Sequence, residues 1–191
     1  MDFLSSIERE VQQVREWVKE HKGAKWTKEH FRLPMAEHGF SMIIHVFRHR
    51  KSAFVLFDIG GSPDGVVTNT ERMGLDLREI ECIVLSHGHY DHFGGLLATL
   101  RVVDKDNLPI IVHVDMFKTR GVANADGTIR KYPEFPKEKQ VKPARYVKTK
   151  QPYLIADNMI LVTGEIQEKR GRWRDSPRPT YRRGQILQKS R

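Results

Sequence analysis

A short apolar run that ends in a histidine-rich turn is the feature that most constrains the fold of this chain. Residues 80–85 read Ile-Glu-Cys-Ile-Val-Leu, which has the length and β-branched character of a buried strand. The following residues, from Ser86 to Gly95, read Ser-His-Gly-His-Tyr-Asp-His-Phe-Gly-Gly, and Leu96 begins an apolar helical pattern. The sequence therefore predicts a strand, a loop and a helix in succession. The histidines would lie at the carboxyl end of the strand, where open α/β sheets place their sites.

The turn concentrates side chains that bind metal ions. Imidazole nitrogens and carboxylate oxygens are ligands of zinc, iron and manganese. Four such groups fall within six positions: His87, His89, Asp91 and His92. His87 and His89 alternate and would point the same way, so that one ion could take both, while the other two could complete that shell or hold a second ion. The alternative is a histidine-rich surface loop without a ligand role, which the preceding buried strand disfavours.

The pattern resembles the metallo-β-lactamase superfamily of metal-dependent hydrolases. The His-x-His-x-Asp-His motif at 87–92 carries this resemblance, and Leu-Phe-Asp-Ile-Gly-Gly at 56–61 is similar to the superfamily's Asp-x-Gly element. Residues 36–41, 69–76 and 163–166 are similar to one subgroup, the 7,8-dihydropterin-6-yl-methyl-4-(β-D-ribofuranosyl)aminobenzene 5'-phosphate synthase-like proteins. The resemblance implies an α/β fold, the αββα sandwich of the superfamily.

The resemblance also implies a site and a chemistry. His87, His89, Asp91 and His92 would bind one or two divalent ions, with zinc expected and iron or manganese as alternatives. The reaction would be hydrolysis by a metal-bound hydroxide, with Asp91 also orienting the nucleophile. Asp58, which ends a predicted strand, would accept a hydrogen bond from a ligand histidine and so fix its orientation. The other interpretation of Asp58 is a residue that simply starts a turn.

Two further segments are candidates for substrate binding. Glu37 and His38 lie in a predicted loop at residues 24–39 that leads to the metal motif, where they would touch substrate or only shape the loop. Residues 115–150 look irregular and basic, which suits an anionic or phosphorylated small molecule. Basic residues of that segment include Lys118, Arg120, Arg130, Lys131, Lys137, Lys139, Lys142 and Arg145. His113, flanked by apolar residues, is expected to be structural.

The remaining ligands of the superfamily have no counterpart in this sequence. A complete site would use further histidines and often a bridging aspartate, yet no histidine follows His113. We therefore expect a truncated, N-terminal part of the fold at residues 24–166, preceded by an amphipathic helix at 1–23. Catalytic activity would then be in doubt, and the exposed sheet could self-associate. The alternatives are a non-catalytic metal-binding or interaction fragment and a nuclease of the same superfamily.

Charge and cysteine content limit the remaining classes of function. The net charge of +9 comes from 33 basic and 24 acidic residues, and nine basic and two acidic residues lie between Glu168 and Arg191. The rest of the chain is thus nearly neutral, so the basicity belongs to a tail at 167–191 that we expect to be disordered, and nucleic acid is not an expected partner. The single Cys82 forms no internal disulfide, and no segment has the length of a membrane helix. A cytoplasmic location is expected.

Overall fold

The computed structural model describes residues 3–166, 181–182 and 185–186, and the side chains of residues 12–166. The α-helices within these ranges are α1 (Phe3–Lys22), α2 (Ala24–His30), α3 (Gly65–Met73), α4 (Leu96–Val103) and α5 (Glu138–Val141). The strands are β1 (Ser41–Arg48), β2 (Lys51–Ile59), β3 (Ile80–Val84), β4 (Pro109–Val112), β5 (Gly121–Ala123), β6 (Ile129–Lys131), β7 (Arg145–Lys148), β8 (Tyr153–Ile155), β9 (Ile160–Val162), β10 (Tyr181–Arg182) and β11 (Gln185–Ile186).

A mixed five-stranded sheet organises the fold, with the strand order β1-β2-β3-β4-β7. The β1–β2 pair is antiparallel, and the other neighbouring pairs are parallel. Strands of a parallel sheet are apolar on both faces because helices or other layers cover each side. This is why β2, β3 and β4 appear in the sequence as almost continuous apolar runs, and the α/β class predicted from them is confirmed.

Alternate side chains of the central strands pack into two hydrophobic cores, one on each face of the sheet. On one face Leu56, Ile83 and Ile110 are fully buried and pack with residues of α3 and α4 such as Val66 and Leu96. On the other face Val55, Cys82 and Ile111 pack with Ile155 of the β8–β9 hairpin. The helical layer therefore covers one side of the sheet, and a small hairpin covers part of the other.

The N-terminal helices pack beside α3. The predicted amphipathic helix is α1, which buries Val18 completely. The segment 24–39, predicted as a loop, instead begins with α2, whose Trp26 ring lies against Gly74 at the end of α3. Gly74 has a φ of 70° and no Cβ, so the ring can lie directly on the backbone. The short, polar sequence of α2 gave no apolar periodicity from which a helix could be predicted.

The segment 115–150 is more regular than its sequence predicted. It contains the β5–β6 hairpin, α5 and β7, and β7 extends the main sheet by pairing with β4. Only Tyr146 and Val147 of β7 are partly buried, between Arg145 and Lys148, so the apolar pattern of this edge strand is too short to predict.

The predicted basic tail at 167–191 lies outside the described residues, apart from the short antiparallel pair β10 and β11. In the described ranges, no helix is both long and apolar enough to cross a lipid bilayer.

Candidate functional site

The candidate site lies at the carboxyl edge of the sheet. Asp58 is near the end of β2, Ser86 follows β3, His113 follows β4 and Thr149 follows β7. Parallel strands end at the same edge, and the pairing of Phe57 with Val84 sets β2 and β3 in register there. The histidine motif therefore begins beside Asp58, as the sequence predicted.

Asp58 is the buried centre of this edge. Its side chain is only 1% exposed, and its φ of 55° is in the left-handed region that aspartate tolerates. One carboxylate oxygen accepts hydrogen bonds from Ser86 Oγ at 2.6 Å and from His92 Nδ1 at 2.7 Å, and the other accepts the Ser86 backbone N–H at 2.7 Å. A carboxylate placed in this way holds the ring of His92 and keeps the proton on Nδ1, so that Nε2 carries a free lone pair.

Ser86 links the ring of His87 to the same carboxylate. Its hydroxyl donates its only proton to Asp58, and the same oxygen lies 2.9 Å from His87 Nδ1. That contact is a hydrogen bond only when His87 Nδ1 is the donor, which leaves His87 Nε2 free as a ligand. No role for Ser86 was predicted, although its position between a buried strand and the first histidine of the motif was a signal for one.

The motif side chains form one cluster. The ring centroid of His87 lies 4.6 Å from that of His89 and 4.2 Å from that of His92. Burial lowers the pKa of His87 below its ordinary value of 6.5, and the neighbouring imidazoles of His92 and His89 lower it further. The neutral ring is the form that binds metal ions.

Asp91 faces the same cluster from the following 3₁₀ turn. Its Oδ2 lies 3.2 Å from His38 Nε2 and 3.7 Å from His92 Nε2. The predicted ligand Asp91 and the predicted substrate residue His38 therefore lie side by side. His38 is 87% exposed and is free to meet a ligand from solvent.

The chemistry of these donors suits a divalent ion, but their arrangement is open. Three imidazoles and a carboxylate are ligand types of zinc, iron and manganese. Across residues 12–166, however, no three His, Cys, Asp or Glu side chains converge as a metal-binding group. His92 is already held by Asp58, whereas His87 and His89 are exposed to solvent.

Glu37 lies near the site, but its carboxylate accepts hydrogen bonds from the backbone. Its two oxygens accept N–H groups of Gly61 and Ser62 at 3.2 and 3.1 Å. Met35, two residues before Glu37, is fixed by a pair of hydrogen bonds between its backbone and the side chain of Asn69, at 2.8 and 2.9 Å. Together these contacts fix the loop that carries His38. The role of Asn69 was not predicted, although its segment was among those similar to the subgroup.

Close backbone contacts join the loops of the site. Gly94 N–H donates to the Gly60 carbonyl at 2.9 Å, and Phe40 N–H donates to the Asp91 carbonyl at 3.3 Å. A methyl group on Gly94 would overlap the carbonyl group of Gly61, so the two segments approach as closely as they do only because residue 94 has no side chain. The glycine pair after the motif thus serves packing as well as the turn.

His113 lies at the next strand end along the sheet. Its Nδ1 accepts the Asp115 backbone N–H at 3.1 Å, while its buried Nε2 has no hydrogen-bond partner in the described structure and lies 3.6 Å from Glu165 Oε2. The bond from Asp115 caps the 3₁₀ turn that follows β4. This placement agrees with the structural role predicted for His113.

Comparisons with known proteins identify the family. The family model described as the metallo-beta-lactamase superfamily matches residues 36–177. A 7,8-dihydropterin-6-methyl-4-(beta-D-ribofuranosyl)-aminobenzene-5'-phosphate synthase of Methanocaldococcus jannaschii is 28% identical over 138 residues, which cover 70% of this chain and 46% of the relative. An uncharacterized protein of the same organism is 35% identical over 139 residues, covering 69% of this chain and 47% of that protein. The chain spans about half the length of the curated relatives it matches.

Two solved structures also show a partial similarity to this chain. A B3 metallo-beta-lactamase with an active-site glutamic acid is 20% identical with a TM-score of 0.37, covering 69% of this chain and 52% of that one. A quorum-quenching N-acyl homoserine lactone lactonase is 22% identical with a TM-score of 0.35, covering 55% of this chain and 42% of that one. These scores are low, and the assignment rests on the match to the family model over well over half of the sequence. On that match, the chain belongs to the metallo-β-lactamase superfamily.

Proposed function

We propose that this chain carries the metal-binding part of a metal-dependent hydrolase that acts on an anionic small molecule. His87, His89, Asp91 and His92 are the proposed ligands of one or two divalent ions, with zinc first and iron or manganese as alternatives. Asp58 is the proposed support of the ligand set, and His38 the proposed contact to substrate. Glu37, already bonded to two backbone N–H groups, positions the loop of His38.

The observation that carries this proposal is the hydrogen-bond chain built on Asp58. A buried carboxylate is bonded to His92 Nδ1 and, through the Ser86 hydroxyl, to His87 Nδ1, which leaves Nε2 free on two rings whose centroids lie 4.2 Å apart. Outer partners of this kind are typical of histidines that bind metals, because they fix both the tautomer and the ring orientation. A histidine-rich loop without a ligand role has no need of such support.

The residues of the chain divide the remaining work. A divalent ion held here would supply activation of water for attack on the substrate. Asp91 Oδ2, within 3.2 Å of His38 Nε2 and 3.7 Å of His92 Nε2, is placed to accept a proton at the edge of the site. The buried Asp58 carries no solvent-facing group and acts through the two histidines it orients. An anionic substrate is favoured by the basic segment 115–150, and the dihydropterin-type relative is named as a 5'-phosphate synthase.

Metal binding is the experiment that tests the proposal. The purified chain, stripped with chelator and dialysed against zinc, should retain at least about one-half ion per chain by elemental analysis. His89→Ala should reduce that content strongly, because it removes a ligand. His49→Ala is the matched control, since His49 lies in the exposed β1–β2 turn. Zinc content that is negligible in the wild type, or equal in the wild type and His89→Ala, would refute the metal site.

A second candidate function is a non-catalytic metal-binding or interaction module. The open arrangement of the donors in residues 12–166 favours it, because no three of them converge there. Hydrolysis of a generic phosphoester or lactone separates the two candidates. Turnover that His87→Ala abolishes supports the hydrolase, whereas a chain that binds zinc without turnover supports the binding module.

A further inference from the structure

Arg120 lies directly on the metal motif. A methyl carbon built on Gly88, the residue between His87 and His89, would lie 2.7 Å from both Arg120 Cζ and one of its terminal nitrogens. The guanidinium therefore packs against the backbone of the motif and occupies the space that a side chain at residue 88 would need. Arg120 is distant from the motif in the sequence, where it is one of ten Lys and Arg residues between 115 and 150.

Backbone carbonyl groups hold this guanidinium in place. One terminal nitrogen donates to the carbonyls of Met116 and Lys118, each at 3.0 Å, and the other donates to the carbonyl of Asp115 at 2.7 Å. These carbonyls belong to the 3₁₀ turn at Val114–Phe117 and the residue after it. Three of the five N–H groups of Arg120 are thus used, and two remain for another partner.

The positive charge of Arg120 is not neutralised by this arrangement. Carbonyl oxygens accept hydrogen bonds but carry no net charge, and none of the ion pairs within residues 12–166 includes Arg120. The nearby carboxylate of Asp115 is paired with Lys118 Nζ at 2.9 Å instead. A fixed, half-buried and unpaired guanidinium beside a histidine cluster is an arrangement that binds oxyanions.

The β5–β6 hairpin keeps Arg120 beside the site. Arg120 immediately precedes β5, and its carbonyl accepts the N–H of Tyr132, which immediately follows β6, at 2.9 Å. The ring of Tyr132 lies 6.4 Å from that of Tyr90 in the motif. Both ends of the hairpin therefore contact the metal motif.

We propose that Arg120 is the substrate-anion site of this protein, where its free N–H groups bind the phosphoryl group of a phosphate monoester beside His87 and His89. This inference deepens the proposed function and rests on it for the reaction, but the anion site itself needs no bound metal. The substrate would enter with its phosphoryl group against the hairpin and its reacting bond toward Asp91. The fork of the guanidinium, held in one orientation by three carbonyls, would select a group with two or more oxygens.

Phosphate binding to the full chain tests the proposal. We would titrate phenyl phosphate into the zinc-free and the zinc-loaded protein at fixed ionic strength. The ring C–H signals of His87 and His89 in NMR spectra and calorimetry give the affinity. Arg120→Ala should weaken phenyl phosphate binding by at least about tenfold, since a hydrogen bond to a charged group is lost. Arg120→Lys keeps the charge but not the fork, so an intermediate loss of affinity is expected.

Arg130→Ala is the matched control on the same hairpin, and it should change the affinity by less than about twofold, because a single exposed charge is screened by solvent. Zinc content of Arg120→Ala should equal that of the wild type, which separates this inference from the metal site. A wild-type chain that does not bind phenyl phosphate would overturn the proposal. So would equal losses in Arg120→Ala and Arg130→Ala, or tighter binding of benzoate than of phenyl phosphate.

Discussion

Replacing Asp58 with asparagine tests how the site is held together. Asparagine has the same shape and also tolerates the φ of 55° at this position, so the backbone should not be strained. The change removes a charge that receives three hydrogen bonds, from Ser86 N, Ser86 Oγ and His92 Nδ1. Bonds to a charged group contribute about 1.5–3 kcal/mol each and neutral ones about 0.5–1.5 kcal/mol, so Asp58→Asn should lower the free energy of unfolding by about 3 kcal/mol.

The same substitution should change the tautomer of His92. The new amide nitrogen is a donor, so a side chain that turns it toward His92 Nδ1 forces the imidazole proton onto Nε2, where a metal would bind. Metal affinity should therefore fall by about 10- to 100-fold, the usual cost of losing an outer partner of a ligand histidine. Zinc competition against a chromophoric chelator measures the affinity, urea unfolding measures the stability, and ¹⁵N shifts of the ring nitrogens report the tautomer directly.

Asp64→Asn provides the matched control. Asp64 is exposed before α3 and makes no side-chain hydrogen bond to cap that helix, so its substitution removes the same charge without breaking a contact. It should change stability by less than about 0.5 kcal/mol. The reasoning would be refuted by an Asp58→Asn protein that binds zinc as tightly as the wild type with the His92 proton still on Nδ1.

Three further outcomes are expected from the geometry. Gly94→Ala should cost several kcal/mol of stability or prevent folding, because the added methyl overlaps backbone that cannot move away. Gly127 has open space around it but a φ of 83°, so Gly127→Ala should cost only about 1 kcal/mol. Urea unfolding measures both changes. Burial raises the pKa of the Cys82 thiol to about 12, so at pH 8 only about one thiol in ten thousand would be ionised, and a disulfide reagent should react with Cys82 in urea but hardly at all in the native protein. Rapid native labelling would contradict that burial. Hydrogen bonds from Arg78 lower the pKa of Asp76 from 3.8 to about 2, so the contact stabilises the fold fully above pH 3.8 and this contribution is lost as the pH falls through about 2. Asp76→Asn should therefore be less stable than the wild type at pH 7, by less than about 1 kcal/mol because the pair is exposed. Near pH 2 the two proteins should be equally stable. A stability deficit of Asp76→Asn that persists near pH 2 would count against the ion pair.

The central elements could be predicted because their signals are local. A buried parallel strand is apolar at consecutive positions, which made β2 and β3 recognisable, and the glycine pair before α4 marked the turn after the motif. The segments that were predicted incorrectly, α2 and β7, are short and mostly polar. Each is stabilised by a few contacts to distant parts of the chain, such as that of Trp26 with Gly74, and such contacts leave no periodic pattern in the sequence.

The candidate site, like the fold, could be predicted only in part from the sequence. The sequence by itself determined the family and the place of the motif at a strand end, because these depend on residue chemistry and on neighbours along the chain. The tertiary structure alone decided that Ser86 links His87 to Asp58, that Asn69 fixes the loop of His38, and that Arg120 lies on Gly88. Each of these contacts joins residues whose orientation or separation is set by how strands and loops cross at the sheet edge, and the packing of the whole domain determines that crossing.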